Sequence, residues 1–413
     1  MSIFEPVVSH WKQTRQAAAG YPRPFWFLFW GTLISSAGNS MVWPFMTIYM
    51  RQRLGIPLTT VGLLFSLNFV AGLVATSFAG PAIDRFGRKG AMLLSLAVTC
   101  GYLLALTRVA SLGWWAVLLM VNGAFGPLFN IGSNAMIADS VPQEQRTEAY
   151  ALLRMISNLG VAIGPSVGGL VTAVSYTLAF FIAAGATAIF GLLILLFVPE
   201  SIPQGAQGIP SATAVGGYGP VLRDRPFLAF VAALTLVNMA YSLIIALLPV
   251  YAKEHYGMPE SRYGLIMATN AAMVVLFQFA VTRITRRHAD LPVLALGSLF
   301  YALGVGSVAW GWGFATFLVS MIVLTIGELI ISPTATALTA RLAPADMRGR
   351  YMSLYGLTWG LGYGIGPALG GMLSDHIAPR AIWYGGLAMG LVAAACFVAL
   401  WRHRALRGPA GET

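Results

Sequence analysis

The chain has 413 residues, of which 57% are hydrophobic and 9% charged, with net charge +11 and mean hydropathy +0.74. Soluble globular chains carry about 25% charged residues, so these figures exclude one. They also remove nucleic-acid binding as the meaning of the basic excess, and the longest stretch between apolar segments, 199–225, is too short for a soluble catalytic domain.

A spanning helix needs about 20 apolar residues. Twelve such spans are predicted: 25–50, 59–82, 91–109, 114–137, 148–171, 177–198, 226–250, 261–282, 291–310, 314–338, 351–373 and 380–401. Six fall in each half. Nineteen of the 25 basic residues lie in the terminal tails and the loops on their side, so the positive-inside rule puts both termini in the cytoplasm. Residues 1–24 lack the apolar stretch of a cleavable signal, so span 1 is expected to remain as an anchor. Trp114, Trp115, Trp310, Trp312 and Trp383 fall at predicted outer ends, where amphipathic rings prefer to sit.

Span 1 carries Asn39, Ser40, Trp43 and Pro44. After span 2 comes Gly80-Pro-Ala-Ile-Asp84-Arg85-Phe-Gly87-Arg88-Lys89-Gly90. This stretch resembles the signature Gly-x-x-x-Asp-Arg-x-Gly-Arg-Lys of the major facilitator superfamily, with Ala82 where that family usually has Leu. The resemblance implies an all-α membrane protein of twelve transmembrane helices in two six-helix pseudo-symmetric bundles. It implies that Asp84 faces the N-terminus of span 11 and latches one half to the other, while Gly87 makes a tight turn. The corresponding stretch of the second half, Arg283-Ile-Thr-Arg286-Arg287-His288, lacks both the Asp and the Gly, so the latch is asymmetric.

Span 4 has Asn122, Gly126, Asn130, Ser133 and Asn134 on one broad face, and amides in lipid seek a partner or water. The Arg that many proton-coupled drug exporters of the family carry on this helix is absent; Leu119 takes its place. Next comes Asp139-Ser-Val-Pro142-Gln-Glu-Gln-Arg146. The resemblance implies that Asp139 pairs with Arg88 in a cytoplasmic cluster that includes Arg85 and Arg146. Arg154 lies just inside span 5, where it pairs with Asp139, lines the inner cavity or snorkels to the headgroups.

Span 5 continues Gly160-Val-Ala-Ile-Gly164-Pro165-Ser-Val-Gly168-Gly169, and span 11 repeats it 202 positions later as Gly362-Tyr-Gly-Ile-Gly366-Pro367-Ala-Leu-Gly370-Gly371. Small residues four apart let helix backbones approach closely. The pattern also resembles the superfamily's antiporter motif, which implies exchange over symport. The same offset links Asn68 to Asn270 and Gly62 to Gly264. Two copies of one unit in a membrane chain point to a transporter with its site between the halves. The expected units are 1–198, a Gly- and Pro-rich flexible cytoplasmic tether at 199–225, and 226–413.

Span 7 carries Asn238 and Tyr241, and span 11 carries Trp359 and Tyr363. Spans 1, 4, 7 and 10 line the central cavity in the family, which makes Asn39, Trp43, Asn122, Asn134, Asn238, Tyr241, Trp359 and Tyr363 the candidate substrate residues. Glu328, on span 10, is the carboxylate placed near the bilayer centre. An ionised acid there costs about 2.5 kcal/mol or more, so it faces a cavity or is protonated. It is the candidate proton-coupling or cation-binding group; a permanently protonated hydrogen-bond donor is the other reading.

The combined expectation is a monomeric, proton-coupled exporter of small amphiphilic or cationic compounds, resembling the drug:proton antiporter branch, in a bacterial inner or cytoplasmic membrane. Its partners are the substrate and lipid. No cofactor beyond the coupling proton and no metal is expected. Neither a nucleophile–base pair nor a metal cluster is evident, which argues against an enzyme. Alternatives are a lipid or glycolipid flippase of the same fold, or a proton symporter importing a nutrient.

Overall fold

A computed structural model describes residues 20–201, 218–344 and 346–403, the side chains of 80–82 and 84–86 excepted. Among the described residues the structure is helical, with no strand. The helices are α1 (Arg23–Val42), α2 (Met46–Leu54), α3 (Leu58–Phe86), α4 (Arg88–Leu106), α5 (Leu112–Ser140), α6 (Arg146–Val174), α7 (Tyr176–Phe197), α8 (Gly219–Arg223), α9 (Arg225–Tyr256), α10 (Glu260–Thr285), α11 (Asp290–Ser307), α12 (Phe314–Leu342), α13 (Arg348–His376) and α14 (Ala381–Arg402).

The predicted spans reappear with two changes. Span 1 is broken: a 3-10 turn at Trp43–Phe45 separates α1 from α2, because Pro44 has no backbone N–H to donate. The loop after span 2 almost vanishes, since α3 runs to Phe86 and α4 begins at Arg88, with Gly87 alone between them. Among the described residues ten helices are long and apolar enough to cross a membrane. The exceptions are the broken α1 and the glycine- and tyrosine-rich α13.

Packing follows the repeat. In the first half α1 lies against α6 and α7, and α5 against α3 and α4. In the second half α9 lies against α13 and α14, and α12 against α10 and α11. The two bundles meet along α3–α13 and α6–α10, again related by the repeat.

The Gly-Pro repeats explain these close approaches. A Cβ on Gly164 would sit 1.9 Å from Ser40 Oγ and 2.6 Å from the Ala37 carbonyl. Gly160 and Gly168 press equally on α1, and Gly362, Gly366 and Gly370 on α9. Ser40 Oγ donates to the Gly160 carbonyl at 3.1 Å, and Ser242, 202 positions later, donates to the Gly362 carbonyl at 2.9 Å. The last glycine of each motif turns outward to the other bundle. A Cβ on Gly169 would lie 2.7 Å from the Glu260 carbonyl on α10, and one on Gly371 would lie 2.5 Å from the Leu58 carbonyl on α3.

The tryptophan belt needs correction. Trp114, Trp310 and Trp312 are exposed, but Trp115 and Trp383 are fully buried. Trp115 donates to the Val109 carbonyl at 3.2 Å, and Trp383 packs edge-on to Tyr251.

Candidate functional site

Because the spans are even in number, both ends of the described chain lie on one face, here the termini face. The described ties between the bundles lie toward the opposite, far face. Arg51 after α1 grips Glu254 of α9 in a fork, Nε to Oε1 and Nη2 to Oε2, each 2.9 Å, while Nη1 donates to the Ile56 carbonyl at 2.8 Å. The Glu254 carboxylate holds the Arg51 guanidinium more firmly protonated. Asp375, at the end of α13, accepts from the backbone N–H and the hydroxyl of Thr59, in the first turn of α3. Glu260, at the start of α10, accepts from Tyr176 Oη of the other bundle and from Lys253 Nζ. Nearer the midplane Ser66 donates to the Gly364 carbonyl.

Below this seal lies a cavity of about 710 Å³ between the bundles. Its first-bundle wall includes Ser35, Asn39, Trp43, Phe65, Asn68 and Phe69; its second-bundle wall includes Tyr241, Ile245, Met267, Trp359 and Tyr363. The rings form a box: Trp43 meets Tyr363 edge-on with centroids 5.2 Å apart, Tyr241 meets Trp359 edge-on at 5.8 Å, and Trp359 stacks on Tyr363 at 6.4 Å. A second space of about 620 Å³ shares Thr32, Phe129, Asn130 and Ser157 with the first. It extends toward the termini face, walled by Ser133, Asn134, Tyr150, Arg154 and Asn158.

The candidate substrate residues separate into four groups. Asn39, Trp43, Tyr241, Trp359 and Tyr363 line the central cavity, and Asn134 lines the second space. Asn122 lines a side recess of about 100 Å³, where it accepts from Thr99 at 3.4 Å. Asn238 does not line the cavity. It is buried between α9 and α13, donating to Thr358 Oγ1 at 2.9 Å. A polar residue in a span can face water or another helix, and here the helix prevails.

Glu328 is also displaced from its expected place. It is not among the side chains lining either space, and it is half-buried. Asn270 Nδ2 donates to Glu328 Oε2 at 2.8 Å and to Thr325 Oγ1 at 2.9 Å. The cavity-lining Tyr241 and Tyr363, with Tyr301, are within electrostatic reach of the carboxylate. At the equivalent place in the first half Asn68 donates to the Leu119 carbonyl at 2.8 Å, so the acid breaks the symmetry.

At the termini face Arg88 Nε meets Asp139 Oδ2 at 3.1 Å, and Ser201 Oγ donates to the same oxygen at 3.0 Å. Arg154 points into the second space, and Arg146 donates to the Val141 carbonyl at 3.0 Å. The Asp84 latch and Arg85 lie outside the described side chains. A residue absent from the sequence reading takes over the turn between α3 and α4. Glu200 Oε1 accepts from the Arg88 N–H at 3.0 Å and Oε2 from the Lys89 N–H at 3.1 Å, so the carboxylate caps α4. Gly87 makes this possible, with φ of 93° and the carboxylate 2.4 Å from where a Cβ would be. The expected tether is thus fastened where it leaves α7, and its far end forms α8 and an Asp224 cap on α9. Residues 202–217, its middle, lie outside the described residues.

A sequence profile of the Major Facilitator Superfamily matches residues 28–288 and 238–412. The chain belongs to the Major Facilitator Superfamily. It is 29% identical over 380 residues to the "Na(+), Li(+), K(+)/H(+) antiporter" of Planococcus maritimus, covering 84% of this chain and 86% of the relative. It is 25% identical over 389 residues to the "Multidrug resistance protein MdtH" of Escherichia coli, covering 91% and 92%. Solved structures share the fold: the nucleoside transporter NupG at TM-score 0.77 and 14% identity, covering 92% of this chain and all of that one. A bacterial homolog of human Spinster, in an inward-facing and occupied conformation, aligns at TM-score 0.74 and 15% identity, covering 94% and 98%. As a superfamily member, the protein is an integral membrane transporter.

Proposed function

We propose that this transporter is a proton-driven exporter of small amphiphilic compounds that works by alternating access, with Glu328 as the coupling group. The observation that carries the reading is an acid within a span close to an aromatic cavity and, among the described residues, ties between the bundles toward one face only. With both termini in the cytoplasm of a bacterium, the cavity opens inward and the far face is the outer seal. The substrate enters from the cytoplasm or inner leaflet and contacts the ring box. The bundles then rock about the α3–α13 and α6–α10 seams, breaking the outer ties. Proton uptake at Glu328 changes the charge near Tyr241 and Tyr363 and resets the cycle. A cationic head fits this cavity less well than the sequence suggested, because among the described residues no carboxylate lines it.

The names of the two relatives, one an antiporter and one a multidrug resistance protein, agree with exchange and with export. A second reading takes up the first relative's name: Glu328 exchanges a small monovalent cation for a proton, which requires the Asn270 amide, whose Nδ2 faces Glu328 and Thr325 here, to turn its oxygen inward. Proteoliposomes holding a pH-sensitive dye test both. Uphill export of an amphiphilic dye under a proton gradient, abolished in Glu328→Gln, supports the first. Proton release on addition of Na⁺, Li⁺ or K⁺ alone, equally lost in Glu328→Gln, supports the second. Unchanged uphill transport in that variant removes Glu328 from the mechanism.

A further inference from the structure

The two connected spaces differ in chemistry. The midplane box offers aromatic faces. The space toward the termini face offers hydrogen-bond donors: the carboxamides of Asn130, Asn134 and Asn158, the hydroxyl of Ser133 and the guanidinium of Arg154, while Tyr150 donates its own hydroxyl to the Asn134 carbonyl at 2.9 Å. Among the described residues Arg154 is the one charged side chain lining either space.

Its position on α6 makes that charge consequential. Arg154 lies eight residues beyond Arg146, about 12 Å along the helix at 1.5 Å per residue. A guanidinium does not shed its proton in proteins. Inside an apolar span a fixed charge must therefore face water or a counter-charge. Asp139, the acid that the sequence offered as a partner, is engaged by Arg88 and Ser201 instead. Arg154 projects into the cavity among uncharged polar groups, and among the described residues no carboxylate lines that space. The planar fork of an Arg matches a carboxylate or phosphate with two parallel hydrogen bonds. The sizes of both spaces suit a small-molecule site.

We infer that the substrate is an anionic amphiphile: its carboxylate or phosphate head lies on Arg154 and its apolar body reaches into the box of Trp43, Trp359 and Tyr363. This rests on the transporter reading above and names the substrate's head group. Such a molecule is either a free acid or phosphate ester from the cytoplasm or a lipid drawn from the inner leaflet. The shared oxyanion chemistry is what the site selects.

The test is calorimetric titration of decanoate, decyl phosphate and decylammonium onto the protein in phosphatidylcholine nanodiscs, with the signal of empty discs subtracted. The two anions are expected to bind about 10-fold more tightly than the amine, the scale of one charge-assisted contact. Arg154→Gln should erase that preference and Arg154→Lys should keep part of it. Equal binding of all three by the wild type, tighter binding of the amine, or an unchanged preference in Arg154→Gln overturns the inference. If Arg154→Gln does not fold, the wild-type comparison decides alone. Dihexanoyl phosphatidylglycerol that displaces decyl phosphate assigns the head to a lipid; decanoate that displaces it while the lipid fails assigns it to a soluble acid. Failure of the transporter reading looks different: anions preferred in binding, yet no flux of any probe in proteoliposomes.

Discussion

The carboxylate of Asp375 accepts hydrogen bonds from both the backbone N–H and the hydroxyl of Thr59, each 2.7 Å long, and so caps α3 with an acid borrowed from the other bundle. An acid at a helix N-terminus is stabilised by the free N–H groups and the helix dipole. The superfamily resemblance implies a cap of the same kind at the opposite face, from Asp84 to the start of α13. In the proposed cycle the two caps alternate, which would make them a two-state device. Asp375→Ala should weaken the outer seal by about 1 kcal/mol, the ordinary worth of a helix cap. That is about a fivefold shift toward the outward-open state. Spin labels at the exposed Gln52 and His255 read it as a growing population at longer distance. An unchanged distance distribution removes Asp375 from the seal.

The glycines of the repeat predict two distinct phenotypes. Gly371 approaches the backbone of Leu58 in the other bundle, whereas Gly164 approaches Ser40 and Ala37 within its own. Gly371→Ala therefore wedges the seam while leaving each bundle intact, and should favour the outward-open state with little loss of thermal stability. Gly164→Ala overpacks a bundle that is the same in both states. It should lower the unfolding temperature at a cost of about 1–3 kcal/mol and leave the conformational balance alone. If both variants alter only stability, the outward role of the last glycine is wrong.

The positions of the helices were legible in the sequence because lipid demands long apolar runs. The repeat was legible because packing two backbones closely demands small residues at fixed spacing. What stayed hidden depended on rotation or on distance along the chain. Trp114 and Trp115 are adjacent, yet a helix turns far enough between them to expose one and bury the other. Asn238 and Glu328 were correctly seen as polar residues within spans, but the face they present is decided by neighbours such as Thr358 and Asn270. Asp375 and Thr59 are 316 positions apart, and nothing local to either announces the other. Glu200 carried a fainter signal: an acid directly after α7, near a basic turn that needed an anion.

That acid yields a double-mutant prediction. Glu200 is exposed, so Glu200→Ala should cost only about 0.5–1 kcal/mol of stability. Gly87→Ala should cost more, because it adds collision with the carboxylate to a left-handed backbone worth about 1–3 kcal/mol of strain. The double variant should lose less than the sum, since removing the carboxylate clears the space for the Cβ and leaves only the strain. Thermal melts of the four proteins measure the coupling, and strict additivity would show that Glu200 and Gly87 act independently.

Arg51 and Glu254 test how much a visible ion pair contributes. Their fork is well formed, but the side chains remain 29% and 34% exposed, and solvent screens them. Exposed pairs are worth at most about 1 kcal/mol. The Asp375 cap and the Gly169 and Gly371 seams, by contrast, engage backbone, which cannot swing away. Arg51→Gln and Glu254→Gln should each open the outer face less than Asp375→Ala, and the effect should shrink further in high salt. Exchanging the charges, with Glu at 51 and Arg at 254, should restore part of the wild-type balance while losing the bond to the Ile56 carbonyl. Electron-spin distance distributions for the single, double and exchanged variants supply the comparison. A larger opening from either glutamine variant than from Asp375→Ala would make the ion pair, and not the helix cap, the main outer lock.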